Sequence, residues 1–185
     1  MSFTSERQPG VTAPPPQSAG FRLNHSMLRV KDPERSLAFY TGVFGMRLLR
    51  RLDFPEMSFS LYFLARLDDD EARQVPEDAR ARTEWTFRQR GILELTHNWG
   101  TEAQADFAYH NGNEQPQGFG HICFSVPDLD AAAAWMDQNG VSFVKRPDQG
   151  KMKDVAFVRD PDGYWIELVE AGRLGSLGMP VDAAG

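Results

Sequence analysis

The chain has a single cysteine, Cys123, among 185 residues. No disulfide can form within it, and a lone thiol suits a reducing compartment better than a secreted scaffold. Long apolar runs are missing as well. The opening Met1-Ser-Phe-Thr-Ser-Glu-Arg-Gln-Pro-Gly10 has no secretion-type apolar stretch, and no segment approaches the roughly 20 apolar residues of a membrane-spanning helix. Positive charge is not in excess: 20 Lys and Arg against 26 Asp and Glu leave a formal charge of −6. Nucleic acid and anionic membrane are poor partners for such a chain. What is present is ordinary for a globular protein, 41% hydrophobic and 25% charged, in a chain long enough to bury a sizeable core. The expectation is a cytoplasmic protein that binds neither nucleic acid nor membrane.

Residues 1–21, with Pro14-Pro15-Pro16, read as a disordered leader, and 172–185 as a small-residue C-terminal tail. Between them one pattern is written twice. In the first copy, His25-Ser-Met-Leu-Arg-Val-Lys-Asp32 alternates like a strand and runs into a helix that Asp32 caps and Pro33 opens. Leu37, Phe39, Tyr40 and Val43 form the helix's apolar side, and Gly42 and Gly45 mark its end. Strands are predicted at 47–53 and 57–65 around a Phe54-Pro55 turn, and a fourth at 91–96. The charged segment 68–90 lies between, with Asp68-Asp69-Asp70 reading as a solvated loop. The second copy repeats the order: His121 to Asp128, a helix to Gly140, then strands at 141–146, 154–158 and 164–169. Asp160-Pro-Asp-Gly163 has the composition of a tight turn that opens the last strand. These boundaries give a first βαβββ module over 22–115, carrying the insertion 68–90, and a second over 116–171.

The fold class is therefore α+β, built from tandem βαβββ modules. In each copy a His begins the first strand with an Asp seven positions on, His25 to Asp32 and His121 to Asp128. In each a Glu sits between apolar neighbours in the last strand, Leu93-Glu94-Leu95 and Ile166-Glu167-Leu168. A carboxylate in such a strand is costly unless it is paired, metal-bound or facing water. Strand alternation puts His25, Met27 and Arg29 on one face and Leu28 and Val30 on the other. Glu94, Thr96 and Asn98 likewise share a face, and His121, Cys123 and Ser125 oppose Ile122, Phe124 and Val126. If the two sheets join face to face, two imidazoles and two carboxylates converge, a donor set suited to a borderline divalent cation such as zinc or nickel. His97 and His110 lack this repetition and read as structural or rim residues. Cys123 reads as small filler.

Met27-Leu-Arg-Val-Lys-Asp-Pro33, Asp53-Phe-Pro55, Leu61-Tyr-Phe-Leu64 and Leu93-Glu-Leu-Thr-His-Asn-Trp-Gly100 begin a series of blocks that continues through the chain. Tyr109-His-Asn-Gly-Asn113, Gly118-Phe-Gly-His-Ile122, Gly150-Lys-Met-Lys153 and Asp160-Pro-Asp-Gly-Tyr-Trp-Ile-Glu167 complete it. On these blocks, over roughly residues 24–170, the chain resembles the glyoxalase I family of the vicinal oxygen chelate superfamily. The resemblance implies paired βαβββ modules that form a concave mixed sheet, joined across a homodimer. It implies metal-dependent isomerisation of the methylglyoxal–glutathione hemithioacetal to S-lactoylglutathione through an enediolate.

Residue by residue, the resemblance assigns the metal to His25, Glu94, His121 and Glu167. Position 25 varies in the family between Gln and His. Glu167 is implied to be the catalytic base, with Glu94 serving the opposite hand of substrate. Substrate contacts are implied at Arg29, Asn98, Gln117, His121, Lys145, Lys151 and Met152, and an apolar pocket at Phe54, Leu61, Phe63, Val155 and Phe157. Gln117 stands where many relatives have an arginine; an amide can hydrogen-bond a carboxylate but lacks the charge and fork of a guanidinium. The long insertion favours zinc, while His at position 25 also suits nickel or cobalt. Alternatives within reach of the same resemblance are a dioxygenase or thiol transferase, or a metal-free ligand-sequestering protein. The four intact ligand positions argue against both.

Overall fold

The structure, a computed structural model, describes residues 9–176. The first and last stretches of the expected leader and tail, 1–8 and 177–185, lie outside the described residues. Each half of the chain forms its own four-stranded mixed sheet. The first half runs β1 (His25–Arg29), α1 (Pro33–Gly42), β2 (Arg47–Phe54), β3 (Phe59–Ala65), α2 (Asp69–Arg73), α3 (Ala79–Thr86) and β4 (Ile92–Asn98). The second runs β5 (His121–Ser125), α4 (Leu129–Gln138), β6 (Phe143–Lys145), β7 (Val155–Arg159) and β8 (Trp165–Val169). The strand orders match, β1-β4-β3-β2 and β5-β8-β7-β6, so in both sheets the first strand lies parallel to the last.

Local chemistry accounts for the helix boundaries. Asp32 accepts from the backbone N–H groups of Glu34 and Arg35, and Asp128 from that of Ala131. Each cap satisfies amides that a helix start would otherwise leave open. At the other ends Gly45 and Gly140 take φ of 63° and 66°, where a side chain would be strained.

The insertion corrects one expectation. Asp68-Asp69-Asp70 is not a loop: Asp68 caps α2 in a capping box with Glu71, and Asp69 and Asp70 lie in its first turn. Three carboxylates at a helix N-terminus are held by the cap and by the helix dipole. A second difference is at Met57, which lies in a short 3-10 turn over Pro55–Met57 rather than in β3. At the end of the described residues, 171–176 form a 3-10 helix, in which Arg173 pairs with Asp130 and Glu170.

The apolar faces of both sheets meet in one core. Leu28, Val30, Leu64, Leu93 and Leu95 from the first half join Leu129, Ala156, Val158, Ile166 and Leu168 from the second. Full burial of each large aliphatic here contributes about 1.5–3 kcal/mol. Polar groups cross the same seam. Tyr40 Oη donates to Asp160 Oδ2 at 2.8 Å, and Asp162 accepts from the Lys31 N–H at 2.8 Å and from Ser36 Oγ at 3.1 Å. Asp160 also accepts from the N–H groups of Asp162 and Tyr164, both at 2.9 Å. The Asp160–Gly163 turn thus starts β8, as its composition suggested, and also ties α1 to the second half. In each sheet the opposite face is left outside this core.

Candidate active site

Those opposite faces carry the repeated His and Glu, and the strand register explains how they meet. His25 pairs with Ile92 and Met27 with Glu94, so Glu94 lies one diagonal step from His25 on the same face. His121 pairs with Trp165 and Cys123 with Glu167, the same step in the second sheet. His25 Nε2 is 3.0 Å from Glu94 Oε2, and His121 Nε2 is 3.2 Å from Glu167 Oε2. Side-chain exposure is 32% and 12% in the first pair and 39% and 18% in the second: the two imidazoles reach solvent, Glu167 is half-buried and Glu94 is buried.

These spacings suit a shared cation. Two donors each about 2.1 Å from one ion at right angles lie about 3.0 Å apart. Imidazole nitrogen with carboxylate oxygen is a donor set for a borderline divalent metal, so the residues present fit one. Within one chain, however, the pairs stay separate. Among the described residues no three His, Cys, Asp or Glu side chains cluster closely enough to hold a metal ion. A cleft of about 460 Å³ does run between the sheets, lined by Ser26, Ile92 and Leu93 from the first and by His121 and Cys123 from the second, but it does not bring the four side chains expected to converge into one cluster.

Around the first pair, Phe63 stands edge-on to His25 at 5.9 Å, and Phe54 stacks on Phe59 at 4.7 Å. Leu61 shares their face, opposite Thr96. Around the second, Phe157 meets the His121 ring at 5.2 Å, and Val155 is buried two residues before it. All five residues assigned to an apolar pocket therefore lie on the same sheet faces as the His–Glu pairs.

The residues assigned to glutathione are more dispersed. Arg29 lines a cleft of about 340 Å³ with Tyr109, His110, Phe119 and Tyr164. Asn98 Nδ2 donates to Tyr109 Oη at 3.0 Å. Lys145 folds onto its own hairpin, Nζ donating to the Val155 carbonyl at 2.6 Å, and partial burial holds its ammonium below the ordinary lysine range. Lys151, Met152 and Gln117 are exposed on loops. His97 is buried against Glu102 at 2.7 Å, a structural pair. His110 Nδ1 accepts from the Gly112 N–H at 3.0 Å. Partial enclosure, and then the Glu167 carboxylate beside it, push the Cys123 thiol up to about 11, which leaves no thiolate for nucleophilic chemistry near neutral pH.

Comparison with known proteins places the chain in a family. Residues 22–168 match the family model of the Glyoxalase/Bleomycin resistance protein/Dioxygenase superfamily. The lactoylglutathione lyase of Pseudomonas aeruginosa is 56% identical over 179 residues, 96% of this chain and 99% of that protein. The chain belongs to the glyoxalase I family. The glyoxalase I of Saccharomyces cerevisiae is 48% identical over 95% of the chain, which covers 52% of that longer protein. Among solved structures, the trypanothione-dependent glyoxalase I of Leishmania major superposes with a TM-score of 0.62 at 30% identity, covering 84% of this chain and 90% of that one.

Within this glyoxalase I fold, two neighbours of the first pair were not legible in the sequence. Phe87, just after α3, lies 6.2 Å from the His25 ring and 5.0 Å from Phe63, so the insertion supplies part of the apolar wall. Asn24 touches both His25 and the end of the insertion. The signal for Phe87 was faint: Trp85 and Phe87 are isolated large apolar residues in a charged stretch.

Proposed function

We propose that the chain isomerises the methylglyoxal–glutathione hemithioacetal to S-lactoylglutathione, a carbon–sulfur lyase activity that detoxifies methylglyoxal in the cytoplasm. The observation that carries the reading is the pair of His–Glu half-sites, built in identical register on the two sheets of a glyoxalase I-family chain.

His25, Glu94, His121 and Glu167 form the ligand set for one divalent cation, zinc by resemblance, with nickel or cobalt able to replace it. Bound there, the cation supplies a Lewis acid for the charge that develops on two adjacent substrate oxygens. The chain's residues do the remainder. Glu167 removes the proton from the carbon that bears the hydroxyl and returns it to the neighbouring carbon, a contribution of roughly 10²–10⁴-fold for a positioned base. Glu94 holds the equivalent place and serves the opposite hand of substrate. Phe54, Leu61, Phe63, Phe87, Val155 and Phe157 keep water from the proton in transit. Arg29, Asn98, Gln117, Lys145, Lys151 and Met152 orient the tripeptide, the cations meeting its carboxylates.

A complete site needs a second copy of the chain. Each site of the homodimer takes His25 and Glu94 from one protomer and His121 and Glu167 from the other. The separation of the two pairs within a chain, and the exposure of both imidazoles, support this pairing. Metal analysis combined with thioester formation from methylglyoxal and glutathione tests the whole reading. Metal with thioester is the expected result. Metal without thioester would point to another chemistry of the superfamily, and the absence of both to ligand sequestration.

A further inference from the structure

The segment before β1 places Asn24 between His25 and the end of the helical insertion, and every polar atom of its side chain is engaged. Asn24 Oδ1 lies 2.8 Å from His25 Nδ1. Asn24 Nδ2 donates to the Phe87 carbonyl at 2.8 Å and to the Gln89 carbonyl at 3.1 Å. Its backbone carbonyl accepts from the Ile92 N–H at 3.3 Å, where β4 begins. The amide orientation follows from these partners: two carbonyls require the NH₂ side, which leaves the oxygen for the imidazole.

We infer that Asn24 is the positioning residue of the first half-site, fixing the His25 ring for metal binding and tying it to the apolar wall at Phe87. This rests on the proposed role of His25 as a ligand. An imidazole that binds a cation through Nε2 must carry its proton on Nδ1, and an oxygen facing Nδ1 both selects that tautomer and sets the ring plane. Asn24 Oδ1 is that oxygen. A ring without it is free to turn about χ2 and to place its proton on Nε2, where it blocks the cation.

The second half of the inference concerns the wall. The same amide that orients His25 holds the carbonyls of residues 87 and 89, and Phe87 sits against both His25 and Phe63. The pocket side chain and the ligand therefore share one anchor, so loosening Asn24 loosens both.

Two substitutions separate the roles. Asn24→Ala removes the acceptor and the donors. Asn24→Asp keeps an acceptor for Nδ1 but turns oxygen toward the Phe87 and Gln89 carbonyls. Zinc affinity of the intact protein, measured by competition with a chromogenic chelator, is expected to fall 10- to 100-fold in Asn24→Ala, the usual effect of removing such a partner. Asn24→Asp, which keeps the oxygen facing Nδ1, is expected to bind zinc more tightly than Asn24→Ala. Hydrogen exchange across residues 87–92 is expected to quicken in both variants. Wild-type zinc affinity in Asn24→Ala, or equal weakness in Asn24→Asp and Asn24→Ala, would overturn the orienting role. Unchanged exchange in both would overturn the shared anchor. A wild-type protein that binds no zinc would remove the metal reading and this inference together. The predicted order of affinities in a protein without lyase activity would sink the proposed reaction while supporting the role of Asn24.

Discussion

Replacing Tyr40 by phenylalanine removes one oxygen from the seam between the two halves and leaves the ring packing in place. Tyr40 is fully buried, its hydroxyl donates to Asp160 Oδ2 at 2.8 Å, and Asp160 is itself buried. Burial pushes the Asp160 carboxyl up to about 6, against the opposing pull of the Tyr40 hydroxyl and the amides of Tyr164 and Asp162. The sign follows from linkage. Because the folded carboxyl titrates above its unfolded value of 3.8, the folded state holds the extra proton between them, and stability falls as pH rises through this window. The interval corresponds to about 3 kcal/mol less stability at pH 7 than below pH 4 from this group. Tyr40→Phe removes a stabiliser of the charged form, so the carboxyl moves higher still. Near pH 8, where Asp160 is ionised, losing a hydrogen bond to a buried charge costs about 2–3 kcal/mol. Near pH 5, where the folded carboxyl is mostly protonated, the cost is that of a neutral hydrogen bond, about 1 kcal/mol. Urea unfolding of both proteins at the two pH values and one fixed protein concentration measures the difference. A loss that is equal at the two pH values, or larger near pH 5, would refute the idea that Tyr40 supports a buried carboxylate.

Other outcomes follow from the site. Glu167→Gln is expected to retain most of the bound metal and to lose at least about 100-fold in kcat, as read by metal analysis and steady-state kinetics; near-normal turnover would remove Glu167 as the base. Two inactive variants, one lacking His25 and Glu94 and the other lacking His121 and Glu167, are expected to recover about a quarter of wild-type activity when unfolded and refolded together. Half of the dimers are then mixed, and each mixed dimer has one intact site. No recovery would place the whole site within one chain. Gln117→Arg is expected to lower KM for the glutathione hemithioacetal by up to about 10-fold, equivalent to 1.4 kcal/mol from a charge-assisted contact. An unchanged KM would show that position 117 does not touch the tripeptide's carboxylates.

The sequence by itself determined the parts governed by short-range rules. Asp32 and Asp128 cap their helices because a cap acts within three residues, and that range is visible in a string. Strand alternation, repeated at His25 and His121 and again at Glu94 and Glu167, was enough to place one His and one Glu on the same face of each sheet. The insertion was legible only as charged, since a five-residue helix such as α2 is too short to show a period.

The tertiary structure decided what depends on register and on packing between the halves. The parallel pairing of β1 with β4 and of β5 with β8 turns a shared face into contacts of 3.0 and 3.2 Å. The bond from Tyr40 to Asp160 spans 120 positions, and those from Asn24 to residues 87 and 89 span 63 and 65. No local propensity encodes such partners. Packing between the halves also decided where the two pairs lie: the apolar sides of both sheets are buried in one core, and among the described residues the His25–Glu94 and His121–Glu167 pairs remain separate rather than forming one cluster.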